Sequence, residues 1–465
     1  MTTTTHQAVQ PEFRWLVILV SIGFFMQALD TTIVNTAIPA MAIQLNENPL
    51  QMHSVIVAYV LSVAACIPLS GWLADRFGIR NIYLSSMVIF SLASLGCGLS
   101  QNLEQLLFFR VIQGIGGALL MPVGRLALLK LIPRSQFLSA MSLMSLAGLI
   151  GPLMGPTLGG WLVEVATWHW IFLINLPMGI LGMIMTFKIM PNQKEPTVKT
   201  FDFSGFILLM VAMVGLSLGI ENMASSQYSN LVSISLLLIG IIATVSYAYH
   251  AHTHQNALFH GRLFRYKIFS IGVLGNFFAR LGSNAIPFIL PLMLQVAFGF
   301  EPFITGLMMI PLVLGSLFSK PIIRPLIQRV GYRRFLLTNT ILVGLCIASF
   351  SFMTAVTPLW LKVLHLFIFG TLNSLQFVGM NTLTLKDLPQ HDASSGNSFL
   401  SMIMMLSMSI GVAMAGTLIN LFSQHFSTTS MSSAFHATLI TLGCINIITA
   451  LIFWQIPKET TDESP

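Results

Sequence analysis

Long apolar stretches separated by short polar ones run along the whole chain. Fourteen of these stretches approach or exceed the ~20 residues that an α-helix needs to cross a bilayer. The alternating pattern of a β-barrel strand does not occur, so the sequence predicts an all-α membrane protein. The predicted spans are 15–41, 53–74, 82–100, 103–129, 137–163, 169–190, 203–222, 231–250, 268–296, 303–325, 335–355, 358–385, 394–422 and 434–456.

The spans fall into groups of six, two and six, and the two outer groups resemble each other. Segment 75–80 follows the second span, and the similar segment 328–333 follows the second span of the last six. Lys130 ends the fourth span in the same way that Lys386 ends its counterpart. Two related six-helix halves are typical of transporters whose halves rock about a central site.

This arrangement predicts five regions along the chain. Two six-helix bundles, 15–190 and 268–456, flank an inserted helix pair with basic loops, 191–267. Short tails, 1–14 and 457–465, precede and follow the bundles. We expect the inserted pair to lie outside the main transport path.

The few charges of the chain are distributed unevenly. Charged residues make up 8% of the sequence, against about 25% in a globular protein. If the N-terminus is cytoplasmic, 19 of the 22 Lys and Arg residues lie in inner loops or at inner helix ends. This bias predicts a multi-pass protein of the bacterial inner membrane with both termini in the cytoplasm. It also explains the net charge of +7 by topology and contact with membrane lipid, without a nucleic-acid partner.

Asp30 is the only acidic residue well inside an apolar span. Burial favours the neutral form of a carboxylic acid, which suits a group that takes up and releases protons near physiological pH. The alternative is a structural partnership with Asn35 or with an arginine of another helix. Arg110, about two turns into the fourth span, is a candidate partner, and pairing with it would favour the charged form of Asp30.

Arg280 is the second arginine within a span, and Asn276 and Asn284 lie four residues on either side of it. This spacing places the three side chains on one helical face. A polar face of this kind suggests the wall of a water-filled cavity. We expect this face, together with Asn35 of the first span, to line a substrate cavity. A purely structural network is the alternative.

The fifth span carries Gly151, Gly155 and Gly159 at intervals of four residues. The glycines form a smooth stripe that another helix can approach closely. Pro152 and Pro156 each remove a backbone donor and bend the helix. A bent helix with a smooth face can act as a gate or a tight seal between the halves, and plain close packing is the alternative.

The loop after the second span combines glycines with charges. Its notable residues are Gly71, Asp75, Arg76, Gly78 and Arg80. Asp75 could face the positive N-terminus of a helix, and the arginines could bind acids or lipid headgroups. Orientation by positive charge alone is the alternative. The later copy has Gln328 in place of Asp75, so any equivalent interaction there should be weaker.

Five motifs occur in order with a specific spacing. They are LDTTIVNTAIP at 29–39, GWLADRFGIR at 71–80, RVIQGIGGA at 110–118, GLIGPLMGPTLGG at 148–160 and WHWIFLINLP at 168–177. On these motifs, the chain resembles the major facilitator superfamily, and within it the fourteen-helix drug:proton antiporters. The resemblance implies two pseudo-symmetric six-helix bundles plus two inserted helices.

The same resemblance implies efflux of small drug-like molecules in exchange for protons, by alternating access. It implies that Arg110 and Gln113 take part in proton coupling together with Asp30. The loop with Asp75 would be a latch that stabilises the outward-facing state, and the glycine stripe of the fifth helix would serve alternating access. Neither a cofactor nor a metal is implied, and a monomer is expected.

Two other functions stay open at this point. One is an exporter of the same fold that carries anionic metabolites such as organic acids, with Arg110 and Arg280 as substrate ligands. The other is a non-transporting sensor or assembly partner, although the longest tails and loops, of about 17 residues, are short for one. The sequence carries neither a Walker loop nor a catalytic motif, so an enzyme is not expected.

Overall fold

The computed structural model describes residues 10–195, 200–223, 230–254, 256–425 and 431–457. The predicted tails 1–14 and 457–465 lie largely outside these residues. The α-helices are α1 (Pro11–Leu45), α2 (His53–Cys66), α3 (Leu69–Phe77), α4 (Ile79–Gly98), α5 (Leu103–Leu131), α6 (Arg134–Val165), α7 (Trp170–Leu173), α8 (Asn175–Ile189), α9 (Phe203–Asn222), α10 (Asn230–Thr253), α11 (Lys267–Ser283), α12 (Ile286–Leu292), α13 (Pro302–Met308), α14 (Ile310–Val330), α15 (Tyr332–Ser349), α16 (Leu359–Lys386), α17 (Gln390–His425) and α18 (Met431–Trp454).

The described part of the chain contains no β-strand. Thirteen of its helical stretches are long and apolar enough to cross a membrane, and the bent pair α2–α3 brings the number to fourteen. The predicted all-α fold is therefore confirmed. A helix satisfies its own backbone hydrogen bonds, which a chain surrounded by lipid requires.

Several predicted spans are interrupted in the structure. The second span bends by 57° between Cys66 and Leu69, next to Pro68, which has no N–H to donate to the preceding turn. The sixth span is divided at Ile174 into α7 and α8. This second interruption matters because it places Asn175 at the beginning of α8, inside the span.

The chain forms two compact units. The first contains the described parts of Met1–Asn48, Ala58–Phe201 and Pro302–Gly306, and the second those of Pro49–Val57, Asp202–Glu301 and Leu307–Pro465. The pair α9–α10 belongs to the second unit, where the hydroxyl oxygens of Ser217 and Ser409 lie 2.8 Å apart. The boundaries predicted for the inserted pair stay a prediction.

Helices α1 and α6 pack closely in the first unit, along the predicted stripe of Gly151, Gly155 and Gly159. The facing residues of α1 are Ala28, Leu29, Thr32, Ile33 and Thr36. Pro152 and Pro156 lie inside α6, and the hydroxyl of Thr36 donates to the carbonyl oxygen of Pro156 over 3.1 Å. The stripe thus brings α6 against the part of α1 that carries Asp30. Its gating role stays a prediction.

Gly159→Ala should destabilise the protein by about 1–3 kcal/mol, the usual effect of overpacking. A Cβ at this position would lie 2.5 Å from the backbone carbonyl oxygen of Ile33, which cannot move without shifting α1. Gly71→Ala is the matched control, because a Cβ placed there meets no atom within 4 Å apart from its chain neighbours and the adjoining backbone of its own helix. Thermal unfolding of both variants in detergent measures the difference, and equal midpoints would contradict the close packing of α1 and α6.

Candidate functional site

The buried acid of α1 lies against a buried arginine of α5. Asp30 is 0% exposed and Arg110 is 1% exposed. Nη1 of Arg110 donates to Oδ2 of Asp30 over 2.6 Å, so the two form a direct ion pair. A charge buried without a partner is strongly destabilising. The pairing that the sequence left open is therefore present in this structure.

Gln113, one turn after Arg110 on α5, connects the two charges through its side-chain amide. Its Nε2 donates to Oδ1 of Asp30 over 2.8 Å, and its Oε1 accepts from Nη1 of Arg110 over 2.7 Å. Nε2 also donates to the hydroxyl of Ser94 on α4, again over 2.8 Å. The structure thus brings together the three residues predicted for proton coupling, and their role stays a prediction.

Asn175 is a member of this network that the sequence did not assign to it. Its Nδ2 donates to Oδ1 of Asp30 over 3.2 Å and to the hydroxyl of Ser94 over 3.4 Å. The residue is fully buried at the beginning of α8. The sequence signal for this role was an amide within an apolar span. Its partners Asp30 and Ser94 could not be recognised from it, because they lie 145 and 81 residues away in the chain.

Aromatic rings enclose the guanidinium of Arg110. Its Cζ lies 4.3 Å from the ring centre of Tyr59 on α2 and 5.7 Å from that of Phe172 on α7. Cations are attracted to the faces of aromatic rings, most strongly where water is excluded. Tyr59 is only 1% exposed. The rings therefore help to hold the arginine in the interior of the first unit.

This arrangement matches an ionised Asp30, because all of its described hydrogen-bond partners donate to it. Oδ2 accepts from Arg110, and Oδ1 accepts from Gln113 and Asn175. A proton on Asp30 would remove the negative charge beside Arg110 and would add an O–H donor among N–H donors. The site can therefore link proton occupancy at one carboxylate to the packing of α1, α4, α5 and α8.

Arg280 of α11 is the corresponding buried cation of the second unit, and it is 6% exposed. Its Nε donates to Oδ1 of Asn276 over 3.1 Å and its Nη2 to Oδ1 of Asn381 over 3.3 Å. The ring of Phe377 lies 4.2 Å from its Cζ. None of the ion pairs among the described residues involves Arg280. Neutral groups surround this arginine, whereas a carboxylate balances Arg110.

Two other residues predicted to line the cavity, Asn276 and Asn284, lie next to Arg280 in the structure. Asn276 contacts it and also donates to the hydroxyl of Thr384 over 3.1 Å. Asn284 is half-buried at the end of α11, where its backbone N–H donates to the carbonyl oxygen of Arg280 over 2.9 Å. Asn35 is buried in the first unit and is not among the described donors to Asp30. The substrate-binding role of these residues stays a prediction.

The loop predicted after the second span is largely helical, because Asp75 and Arg76 lie in α3, Arg80 lies in α4, and Gly78 alone separates the two helices. A lysine that the sequence did not pair with Asp75 holds the end of α3. Lys130, in the last turn of α5, donates to Oδ1 of Asp75 over 3.0 Å and also pairs with Glu195. The backbone N–H of Glu195 donates to the carbonyl oxygen of Asp75 over 3.1 Å. Because the two acids are 37% and 45% exposed, these pairs contribute at most about 1 kcal/mol to stability. They do hold the end of α3 beside the end of α5 and beside Glu195.

The other residues of the predicted latch have different environments. Arg76 and Arg80 lie over aromatic rings, 5.2 Å from that of Trp72 and 5.9 Å from that of Phe187. Gly78 ends α3 with φ of 94°, a conformation that favours glycine, and Gly331 ends α14 with φ of 78°. The two glycines occupy equivalent positions in the repeat. Whether this segment acts as a latch stays a prediction.

Two further charges that lie near the ends of the predicted spans 203–222 and 358–385 are largely buried. Glu221, in the last turn of α9, has a side chain 14% exposed, and its Oε1 lies 3.8 Å from Nε2 of His53. Lys362 is 1% exposed, and its Nζ donates to the carbonyl oxygen of Ala355 over 3.0 Å. Proximity to a span end in the sequence therefore does not establish exposure.

Comparison with known proteins gives consistent matches. A model of the Major Facilitator Superfamily matches residues 20–249 and 272–465. A protein of Escherichia coli O6:H1 strain CFT073, named "Putative multidrug resistance protein MdtD", is 51% identical over 452 residues, which cover 96% of this chain and 95% of that protein. The protein of the same name from Pectobacterium atrosepticum is 49% identical over 454 residues, 97% of each chain.

Solved structures of transporters share the fold. The nucleoside transporter NupG superimposes with a TM-score of 0.67 at 14% identity, over 94% of this chain and 98% of that one. A D-xylose-proton symporter gives the same TM-score and identity, over 96% and 98% of the two chains. At this level of identity the likeness concerns the fold alone.

Proposed function

Because the chain belongs to the major facilitator superfamily and is a small-molecule transporter of the membrane rather than an enzyme, we propose that it is a proton-coupled efflux antiporter. It exports drug-like compounds across the bacterial inner membrane by alternating access, as a monomer with both termini in the cytoplasm. The names of the relatives from Escherichia coli and Pectobacterium atrosepticum support this class of substrate.

The buried ion pair between Asp30 and Arg110 carries the proposal. It is the one described ion pair in which both side chains are 1% exposed or less. A buried charge pair is weak evidence for stability, since well-packed apolar residues often serve as well. Because an ionisable group within the membrane is energetically costly, its presence there makes it a candidate for a functional role. We infer that the function of this pair lies in the ability of Asp30 to gain and lose a proton.

In the proposed cycle, a proton from the outer side neutralises Asp30. Arg110 then loses its counter-charge, and its bond to Asp30, which joins α5 to α1, weakens. This permits the inward-facing state, where substrate enters from the cytoplasm and the proton leaves. The glycine stripe of α6 accommodates the movement of α1, and the pairing of Lys130 with Asp75 helps to hold one end state.

Everted membrane vesicles test this function directly. In energised vesicles that contain the protein, a transported lipophilic cation should release protons from the acidified lumen. The measurement is the recovery of fluorescence of a pH-sensitive dye after the compound is added. If neither lipophilic cations nor organic acids release protons from vesicles that contain folded protein, the proposal is wrong.

Export of anionic metabolites is the second candidate function, and the surroundings of Arg280 favour it. This buried guanidinium has amide oxygens and an aromatic ring around it and takes part in none of the described ion pairs. A carboxylate is the natural partner for such a group, because the two can form paired charge-assisted hydrogen bonds. Arg280 would then bind the acid group of an organic-acid substrate.

Arg280→Met should weaken the proton release triggered by organic acids, with a loss of at least about tenfold in their apparent affinity. The reason is that the variant keeps the bulk of the side chain and loses its charge. The response to lipophilic cations should persist. Arg329→Met, at an exposed position near the end of α14, is the matched control. An unchanged organic-acid response in Arg280→Met would exclude this site for anions.

A further inference from the structure

Asn175 has an unusual hydrogen-bonding pattern next to Asp30. Its side chain is completely buried, and its Nδ2 donates to Oδ1 of Asp30 over 3.2 Å. Its own Oδ1 is also buried and has no hydrogen-bond donor among the described residues. Buried polar atoms nearly always have a partner, and an exception at a functional site calls for an explanation. The unused acceptor lies on the residue that contacts the titratable carboxylate.

The hydrogen bonds around Asp30 suit only its ionised form. A protonated Asp30 must donate its O–H, but Arg110 offers only donors. Gln113 has an acceptor, Oε1, which already accepts from Nη1 of Arg110 over 2.7 Å. Of the three side chains that donate to Asp30, Asn175 alone has an acceptor without a described donor.

We propose that Asn175 responds to the protonation state of Asp30 by turning its side-chain amide. With Asp30 ionised, Nδ2 donates to the carboxylate, as in this structure. With Asp30 protonated, a half-turn about the last side-chain torsion places Oδ1 where Nδ2 was, so that it accepts the carboxyl O–H. The terminal torsion of asparagine is broad enough for both positions. This inference rests on the proposed role of Asp30 in proton coupling.

The turn leaves the rest of the network in place. Ser94, which accepts from Nδ2 of Asn175 over 3.4 Å, can donate to Oδ1 after the turn because a hydroxyl both donates and accepts. The bond between Arg110 and Gln113 is kept. Asn175 is thus a positioning residue that stabilises the protonated carboxyl and allows the proton to stay on Asp30 during the conformational change.

Other titratable groups face this network from the packed helices. They are Arg110 of α5, Tyr59 of α2 and Cys97 of α4, whose Sγ lies 3.7 Å from Oε1 of Gln113. Neither Tyr59 nor Cys97 has a described hydrogen bond to Asp30. A change at Asn175 therefore alters the direct hydrogen bonds of Asp30 while these three groups stay in place.

The Asn175→Leu variant distinguishes the two roles of the amide by the sign of a shift. If Oδ1 accepts from protonated Asp30, its loss destabilises the protonated form, and the titration midpoint should move to lower pH by about half to one unit. If Asn175 serves only as a donor to the carboxylate, the midpoint should move to higher pH. The loss of the donor bond should matter less than the loss of the acceptor, because the donor bond is long and Asp30 keeps the shorter bonds from Arg110 and Gln113.

Infrared titration of the purified protein in lipid follows the carbonyl band of protonated Asp30, identified as the band that is missing in Asp30→Asn. The pH profile of substrate-triggered proton release should shift in the same direction. Asn175→Thr, whose hydroxyl can donate and accept, should restore the midpoint. Asn339→Leu, a buried asparagine on α15, is the matched control and should leave it unchanged.

The outcomes separate this inference from the proposed function. If Asp30 shows no titrating band and Asp30→Asn transports normally, the proposed proton coupling fails. If the band titrates but Asn175→Leu leaves its midpoint unchanged or moves it to higher pH, the amide turn is wrong and the proton coupling stands. A shift to lower pH that Asn175→Thr reverses supports the turn.

Discussion

Asp30→Asn should abolish proton-driven efflux and also lower the stability of the protein, because Arg110 is left buried without its counter-charge. Asparagine has nearly the same shape as aspartate, and its Oδ1 can still accept from Arg110, which lies 2.6 Å from the carboxylate. It cannot take up or release a proton. Efflux driven by a proton gradient should therefore fall to the level of vesicles without the protein, as measured by substrate accumulation in everted vesicles.

The comparison requires equal amounts of inserted protein and a matched substitution. Glu104→Gln makes the same chemical change at an exposed position near the start of α5, and it should transport like the unaltered protein. Undiminished proton-driven efflux by Asp30→Asn, inserted at the same level, would remove Asp30 from the mechanism.

Arg110→Met should be both inactive and strongly destabilised. The substitution leaves Asp30 buried without its counter-charge, and breaking a buried pair in this way costs about 3–5 kcal/mol. Because a protonated Asp30 needs no counter-charge, the deficit should be largest at high pH and shrink as the pH falls. Thermal unfolding in detergent across a range of pH measures the effect.

The double variant Asp30→Asn with Arg110→Met separates stability from function. Removing both charges should recover most of the lost stability, because no charge is left without a partner. Transport should stay absent. If the double variant is as unstable as Arg110→Met, the ion pair is not the reason why Arg110 is needed.

The hydropathy of the chain is sufficient to predict its all-α membrane fold, because each span must form its own helix in lipid. The interruptions are harder to place. Pro68 signals the bend between α2 and α3, and Pro177 has no N–H to donate to the carbonyl oxygen of Leu173, next to Ile174, where α7 passes into α8. Helix α14 continues through Pro321 and Pro325. Helix breaks depend on packing as well as on local sequence.

The candidate site was predictable where a residue type is rare in a membrane. Asp30 and Arg110 stand out as buried charges, and Gln113 follows from its position one turn away. Their partners Asn175 and Lys130 could not be assigned, because they are distant in sequence from the acids they contact. Lys130 has an ordinary position for a positive residue at a span end, so topology alone explained it.

Transport by the purified protein in liposomes tests the central claim most directly. With an imposed proton gradient, the unaltered protein should accumulate substrate against its concentration gradient, and a protonophore should abolish this accumulation. Asp30→Asn should at most equilibrate the substrate. Accumulation that does not depend on the proton gradient, or that persists in Asp30→Asn, would contradict proton coupling through the buried carboxylate.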